Sequence, residues 1–167
     1  MISAVEDARR MWNPALGAML LWKFAEAYAS HAEQQVEVPF LLMFLALPVA
    51  LHEETAEIAK STNRPSGLRK FVGKFTSSSD SRRDELISLH LRCHRLRSLT
   101  MESLGVATRA EMLRVDFVKG VVVANGWKGE KDVPQGLRPM LGAVDRLGCW
   151  CSSLSPAEVS ATLKVAF

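Results

Sequence analysis

No apolar run in this sequence of 167 residues is long enough to cross a bilayer. The run over residues 38–51 has no charged or hydrogen-bonding side chain, but its fourteen residues fall short of the about 20 that a membrane helix needs. The start of the chain also lacks the basic region of a secretory signal, because Glu6 and Asp7 stand there. We therefore expect a cytoplasmic protein without membrane contact, in which residues 38–51 form the buried centre of the fold.

Cysteine is scarce, and its arrangement argues against a disulfide framework. Cys93, Cys149 and Cys151 are an odd number, and the single residue between the last two is a poor spacing for a structural metal site. We expect all three to be reduced thiols in a reducing compartment. His90 and His94 are four residues apart and could share a metal ion, but no second pair of ligands matches them. We predict no metal and no other cofactor, and interpret the two histidines as the polar flank of a helix.

Sequence motifs for catalysis are absent as well. There is no Gly-x-Ser-x-Gly nucleophile elbow and no Gly-x-x-x-x-Gly-Lys-Ser/Thr phosphate loop. A nucleophile with a histidine base also needs an orienting acid, and nothing in the sequence places one beside any of the four histidines. We therefore predict that the protein has no catalytic residues and is not an enzyme. A metal-dependent enzyme built on His90 and His94 is the least favoured of three hypotheses.

Helix-end signals and hydrophobic periodicity predict one mainly α-helical domain over residues 1–167, with residues 1–12 as a candidate N-terminal arm. Asn13 is a good N-cap and Pro14 suits the first helical position, so a helix should begin there. Ser155 and Glu158 form the same kind of signal for the last helix. Helices are predicted over residues 14–32, 40–60, 68–75, 82–104, 137–154 and 156–167, with a kink or break in the second near Pro48 and an end of the fourth at Gly105.

One β-hairpin is predicted after the fourth helix. Residues 112–118 alternate imperfectly, Lys119 and Gly120 look like a turn, and residues 121–124 are rich in β-branched side chains. The predicted fold class is therefore mainly α with a small β-hairpin. This α+β arrangement is winged-helix-like at best, and it forms a compact body around a buried apolar helix.

Charge is distributed unevenly along the chain. Residues 1–63 contain 4 Lys/Arg and 8 Asp/Glu, residues 64–114 contain 11 and 5, and residues 115–167 contain 6 and 5. Most cations of the middle part are arginines, whose planar guanidinium group suits carboxylates and phosphates. A solvated helix face is the simpler interpretation, and an acidic protein surface or a nucleic-acid backbone is the functional one. The residues predicted to contact a partner or nucleic acid are Arg82, Arg83, Arg92, Arg95 and Arg97.

Two segments, together with the small-domain length of the chain, carry a family resemblance. Residues 13–21 read Asn-Pro-Ala-Leu-Gly-Ala-Met-Leu-Leu, and the apolar run over residues 39–51 is capped by His52. Over residues 13–60 the chain resembles the middle component of prokaryotic three-component ABC systems, the group that includes Lamassu-type anti-phage defence. The resemblance implies a non-enzymatic adaptor between an SMC- or Rad50-like ABC ATPase and an effector such as a nuclease, with DNA contact through the complex. It gives Asn13, Pro14 and His52 structural roles.

The other alternative is a winged-helix DNA-binding regulator. It rests on the order of a basic helix followed by a hairpin, and fold likeness of this kind does not establish function. It requires that the basic helix and the hairpin share one face. Contact with the phosphate backbone of duplex DNA would then depend on salt.

Overall fold

The computed structural model describes residues 12–33, 37–77 and 80–167, and the side chains of residues 80–82 fall outside that description. The predicted N-terminal arm over residues 1–12 therefore lies outside the described residues except for Trp12. Within them, the chain is mainly α-helical with a small antiparallel sheet, as the sequence predicts. Among the described residues, no helix is both long enough and apolar enough to span a membrane.

Helices and strands follow one another in a simple order. The helices are α1 Pro14–His31, α2 Ala46–Ala50, α3 Glu53–Lys60, α4 Gly67–Thr76, α5 Asp80–Arg95, α6 Arg97–Arg109, α7 Arg138–Cys151 and α8 Pro156–Leu163. Short 3₁₀ turns span Phe40–Leu45, Arg64–Ser66, Gly129–Asp132 and Gln135–Leu137. The strands are β1 Val38–Pro39, β2 Leu113–Asp116 and β3 Val121–Ala124.

Helix α1 lies at the centre, packed mainly against α7 and α6. Its start is the predicted one, because the Asn13 side chain accepts hydrogen bonds from the amides of Ala15 at 3.0 Å and Leu16 at 3.2 Å. These bonds satisfy amides that have no partner inside the helix. Burial on most sides then follows from the wide distribution of apolar residues around α1.

Most of residues 38–51 are buried as predicted, but they do not form the predicted helix. The segment is a short strand, then a 3₁₀ turn, then α2. Pro48 does not break it, because Pro48 is the third residue of α2, where a missing amide hydrogen costs no intrahelical bond. The chain turns after it, at Leu51, and His52 then caps α3. One side chain of the run, Leu41, is 49% exposed.

The predicted hairpin is confirmed and has an additional partner. Strands β2 and β3 pair antiparallel, and β1 adds to the other side of β3, so that the strand order is β1-β3-β2. The turn between β2 and β3 uses a left-handed glycine, Gly120, with φ of 66°. The Asp116 carboxylate accepts hydrogen bonds from the amides of Val118 at 3.0 Å and Lys119 at 2.9 Å. The hairpin tip is therefore tied to its own backbone.

The long helix predicted over residues 82–104 is two helices. Leu96 separates α5 from α6, and no proline or glycine marks this interruption. The predicted end at Gly105 is wrong, because α6 continues to Arg109 and the left-handed residue that follows it is Glu111, with φ of 57°. A glycine ends a helix only where the backbone takes a left-handed conformation, and Gly105 does not.

The end of the described chain docks on the domain itself. The predicted capping box is present at α8, where the Ser155 amide donates to Glu158 Oε2 at 2.8 Å and the Glu158 amide donates to Ser155 Oγ at 3.2 Å. The helix ends at Leu163 instead of near residue 167, because Lys164 is left-handed with φ of 55°. Val165 is buried beyond it, so part of the apolar end belongs to the core.

Candidate interaction surface

Among the five arginines predicted as contacts, the four whose side chains are described differ in their surroundings. The side chain of Arg82 lies outside the described part of the structure. Arg83 donates two hydrogen bonds of 3.2 Å to the carbonyl oxygen of Thr76 and ties the start of α5 to the end of α4. Arg95 and Arg97 are exposed and form no ion pair with any described residue.

Arg92 is mostly buried, with 14% of its side chain exposed. Its Nη1 donates to Glu85 Oε2 at 2.8 Å and to Ser88 Oγ at 2.8 Å. Its Nη2 donates to Thr55 Oγ1 of α3, also at 2.8 Å. The two Nη atoms therefore join α3 to α5, whereas the buried Nε has no hydrogen-bond partner among the described residues.

His52 closes these contacts into a ring. Its Nδ1 is 2.9 Å from Thr55 Oγ1, and its Nε2 is 3.2 Å from Glu85 Oε2. Because Thr55 Oγ1 accepts from Arg92, its own proton is free to go to His52 Nδ1, which leaves the Nε2 hydrogen to point at Glu85. We call the closed network of Arg92, Thr55, His52 and Glu85 the Arg92 ring.

The Arg92 ring contains a hydroxyl, an imidazole and a carboxylate, the group types of a hydrolytic triad. Its geometry does not suit nucleophilic attack. Thr55 is only 1% exposed, and its oxygen already accepts a hydrogen bond from Arg92. Such a hydroxyl has no room for a substrate carbonyl, so we interpret the ring as a structural link between α3 and α5.

The two histidines at four-residue spacing do lie side by side. The rings of His90 and His94 are 4.5 Å apart, edge to face. His90 Nδ1 is occupied, because it accepts a hydrogen bond of 3.3 Å from the amide of Ala166. Across residues 12–33, 37–77 and 80–167, no three His, Cys, Asp or Glu residues are grouped in a way that could hold a metal ion.

A second charged network lies between α1 and α7, with Lys23 and Asp145 mostly buried and the other members partly exposed. Lys23 Nζ lies 2.9 Å from Glu130, 3.2 Å from Glu26 and 3.7 Å from Asp145, and Arg64 donates a hydrogen bond to Asp145. Burial lowers the pKa of Lys23, but its bonds to the two glutamates outweigh this and leave the pKa raised. Sequence analysis missed Asp145; the available signal was a lone carboxylate directly after Val144 on the apolar stripe of α7.

Apolar side chains are exposed around the hairpin tip. Phe117 is 73% exposed, Val118 99% and Leu41 49%. The Phe40 ring lies 5.7 Å from that of Phe117 and 5.5 Å from that of Phe44. We call Phe40, Leu41, Phe44, Phe117 and Val118 the Phe117 patch.

A pocket of about 240 Å³ opens beside the Phe117 patch. Its lining includes Phe40, Leu41 and Phe44, and also Arg97. No aspartate or glutamate of the described chain lines it. A contiguous exposed apolar area of this kind is typical of a site where another molecule binds.

Comparison with known proteins identifies the family. A family model described as MC3, ABC-three component (ABC-3C) system Middle Component 3, matches residues 5–167. The chain belongs to this family. The resemblance seen over residues 13–60 is confirmed as that of a middle component and covers nearly the whole chain. No curated protein and no solved structure gives a significant match.

The motif residues of the middle component are helix caps in the structure. Asn13 caps α1, and His52 caps α3 through a 3.4 Å hydrogen bond from the Thr55 amide to its Nδ1. Pro14 occupies the first position of α1. These contacts agree with the structural roles that the resemblance implies.

Two of the three thiols of the middle component are buried. Burial raises the pKa of Cys93 to about 12 and raises that of Cys151 as well. Burial also raises the pKa of Cys149, which is only partly covered. A thiol with a raised pKa holds little thiolate near neutral pH, so these cysteines are poor nucleophiles and poor metal ligands.

We predict that the middle component loses stability in alkali. Above pH 9.0, the ordinary value for these thiols, the unfolded chain loses the protons of Cys93 and Cys151 while the folded chain keeps them. The free energy of unfolding should therefore fall as the pH rises towards 12, by up to about 1.4 kcal/mol per pH unit for each thiol. Urea unfolding at a series of pH values measures this slope.

The control for this prediction is Cys93→Ala. The variant should be less stable at every pH because the substitution leaves a cavity. Its free energy of unfolding should fall less steeply with rising pH, by the contribution of one thiol. Tyr28, whose pKa is also raised by burial, adds to the slope in both proteins. Parallel curves for the variant and the wild type would show that Cys93 does not titrate differently on folding.

Proposed function

We propose that the middle component is a non-catalytic adaptor that holds an effector, such as a nuclease, on an SMC- or Rad50-like ABC ATPase in a prokaryotic anti-phage defence system of the Lamassu type. Membership of the middle-component family supports the setting. The observation that carries the adaptor role is the Phe117 patch, an apolar surface on which Phe117 and Val118 are 73% and 99% exposed.

The non-catalytic part of this proposal rests on the titratable groups of the described residues. The Arg92 ring is closed on itself, and Thr55 at its centre is buried. His90 bonds to the backbone near the end of the chain and lacks a matching set of metal ligands. Cys93 and Cys151 are held in the thiol form by burial. We find in these groups no activated nucleophile that a substrate can reach.

Co-purification tests the adaptor role. The middle component would be expressed with the ABC ATPase and the effector of its own system, with an affinity tag on the ATPase. We expect the three proteins to co-elute in size-exclusion chromatography, and the effector to separate from the ATPase when the middle component is omitted. An effector that binds the ATPase equally well without the middle component would contradict the proposal.

A DNA-binding regulator remains the alternative, and the packing supports it less. The hairpin packs on α1 and α6, whereas α5, the helix with most of the predicted arginines, packs mainly on α4 and α2. Arg83 and Arg92 are bonded within the chain. Salt-dependent binding of a short DNA duplex by the isolated protein would favour this alternative, and no binding at low salt would remove it.

A further inference from the structure

The Phe117 patch is built from two distant segments that the fold brings together. The 3₁₀ turn contributes Phe40, Leu41 and Phe44, and the hairpin tip contributes Phe117 and Val118. The amide of Phe40 donates a 2.8 Å hydrogen bond to the carbonyl oxygen of Gly120, which links the two segments directly. Phe117 and Val118 at the tip are both exposed, and together with the neighbouring apolar side chains they form the kind of surface that marks an interaction site.

The pocket beside the patch suits a side chain better than a small molecule. Its volume of about 240 Å³ is below the about 300–1,000 Å³ usual for ligand sites. Its lining combines phenylalanine side chains with an arginine, and aromatic and arginine side chains are enriched at protein interfaces and their energetic hot spots. The occupant is therefore expected to be a protein segment that inserts an apolar anchor.

The charged side chains of the pocket lining indicate which charge the bound segment carries. Arg97 lines the pocket, is exposed and forms no ion pair with any described residue. The titratable side chain beside it, His94, is also exposed. With no described acidic side chain in the lining, this edge of the patch complements a carboxylate, which arginine can bind through two parallel hydrogen bonds.

We propose that the Phe117 patch and its pocket bind an apolar segment of the ABC ATPase that carries an acidic residue, with an apolar side chain in the pocket and a carboxylate on Arg97. This inference rests on the proposed adaptor function and names the surface that performs it. It assigns the contact to Arg97 alone among the five arginines predicted from sequence, together with the exposed side chains at positions 41, 117 and 118.

The first test measures binding of the middle component to the purified ABC ATPase of its own system. Val118→Asp and Arg97→Glu should each weaken binding at least about tenfold, since both remove a central contact and add repulsion to an acidic segment. Arg97→Lys should keep part of the affinity. The matched control is Ile87→Asp, which changes a side chain that is 65% exposed on α5 and outside the patch.

The outcomes separate this inference from the adaptor proposal. If the wild-type protein does not bind the ATPase, both the adaptor proposal and the surface assignment are contradicted. If the wild type binds and the two patch variants bind equally tightly, or if Ile87→Asp weakens binding as much as they do, only the surface assignment is overturned. Urea unfolding midpoints equal to that of the wild type show that the variants are folded. Arg97→Glu provides the decisive comparison if Val118→Asp is unstable.

The second test identifies the bound segment. Benzoylphenylalanine at position 118 is irradiated in the purified complex, and mass spectrometry locates the crosslinked peptide. We expect an ATPase peptide with apolar and acidic residues, whose charge-reversed variant no longer binds the wild type and binds Arg97→Glu again. A crosslink to a second copy of the middle component, to the effector or to a basic ATPase segment would overturn the proposal, as would loss of DNA binding alone in Arg97→Glu.

Discussion

Replacing Gly148 by valine should lower the free energy of unfolding by about 3 kcal/mol or more. Gly148 lies in α7 where this helix crosses α1, the most extensive helix contact of the described residues. A Cβ atom there would overlap the carbonyl oxygen of Phe24 and come within 3.1 Å of both the Ala27 Cβ and the Tyr28 amide nitrogen. These atoms belong to the backbone and first side-chain carbon of α1, so no rotamer change relieves the clash and the helices must separate.

A control lies in the same helix. A Cβ atom at Gly142 would meet nothing closer than Arg146 Nη1 at 3.8 Å. Gly142→Ala should therefore raise the free energy of unfolding by about 0.5–1 kcal/mol, because alanine favours the helix. Urea denaturation followed by circular dichroism measures both variants. A Gly148→Val protein as stable as the wild type would show that α1 and α7 are not held at this separation.

Replacing Arg92 by methionine should lower the free energy of unfolding by about 3 kcal/mol. The variant keeps most of the side-chain volume but removes the cation that Glu85, Ser88 and Thr55 share. Within the ring, Glu85 then keeps only its contact with His52, and Thr55 loses the donor to its buried hydroxyl oxygen. Removing one member of such a network costs more free energy than its hydrogen bonds contribute, because the buried groups that remain lose their partner.

The matched control is Arg95→Met, three residues further along α5. Arg95 is exposed and forms no ion pair with a described residue, so its loss should change stability by no more than about 0.5 kcal/mol. Urea unfolding distinguishes the two variants. If Arg92→Met is as stable as the wild type but binds the ABC ATPase more weakly, Arg92 is a contact residue, as the sequence suggested, and the Arg92 ring does not support the fold.

The features that the sequence predicts correctly are local. Asn13 and Ser155 bond to amides within three residues, and their side chains determine the helix starts whatever the rest of the chain does. The hairpin is local in the same sense, because a tight turn joins strands that are adjacent in sequence. Strand β1 could not be predicted in this way, because two residues carry little pattern and Val38 pairs with Val122, far along the chain.

The candidate site shows the same limit. Arg92 looks like the other arginines of its segment, and only its contact with Thr55, contributed by another helix, reveals that it is buried. Phe117 and Phe75 are equally hydrophobic, yet one is 73% exposed and the other 1%. Exposure depends on which elements cover a position, and that is decided by tertiary packing. The family, by contrast, could be inferred from sequence because its motif consists of two contiguous segments, residues 13–21 and the apolar run before His52.

The hairpin tip has a further consequence for affinity. Its backbone is held by Asp116, by the left-handed Gly120 and by the bond from Phe40, so its exposed side chains stand on a pre-organised loop. A partner that binds a loop already in its bound shape loses little conformational entropy, and more of the buried apolar area becomes net affinity. Loosening the tip through Asp116→Ala would therefore weaken association without removing a single atom from the contact surface.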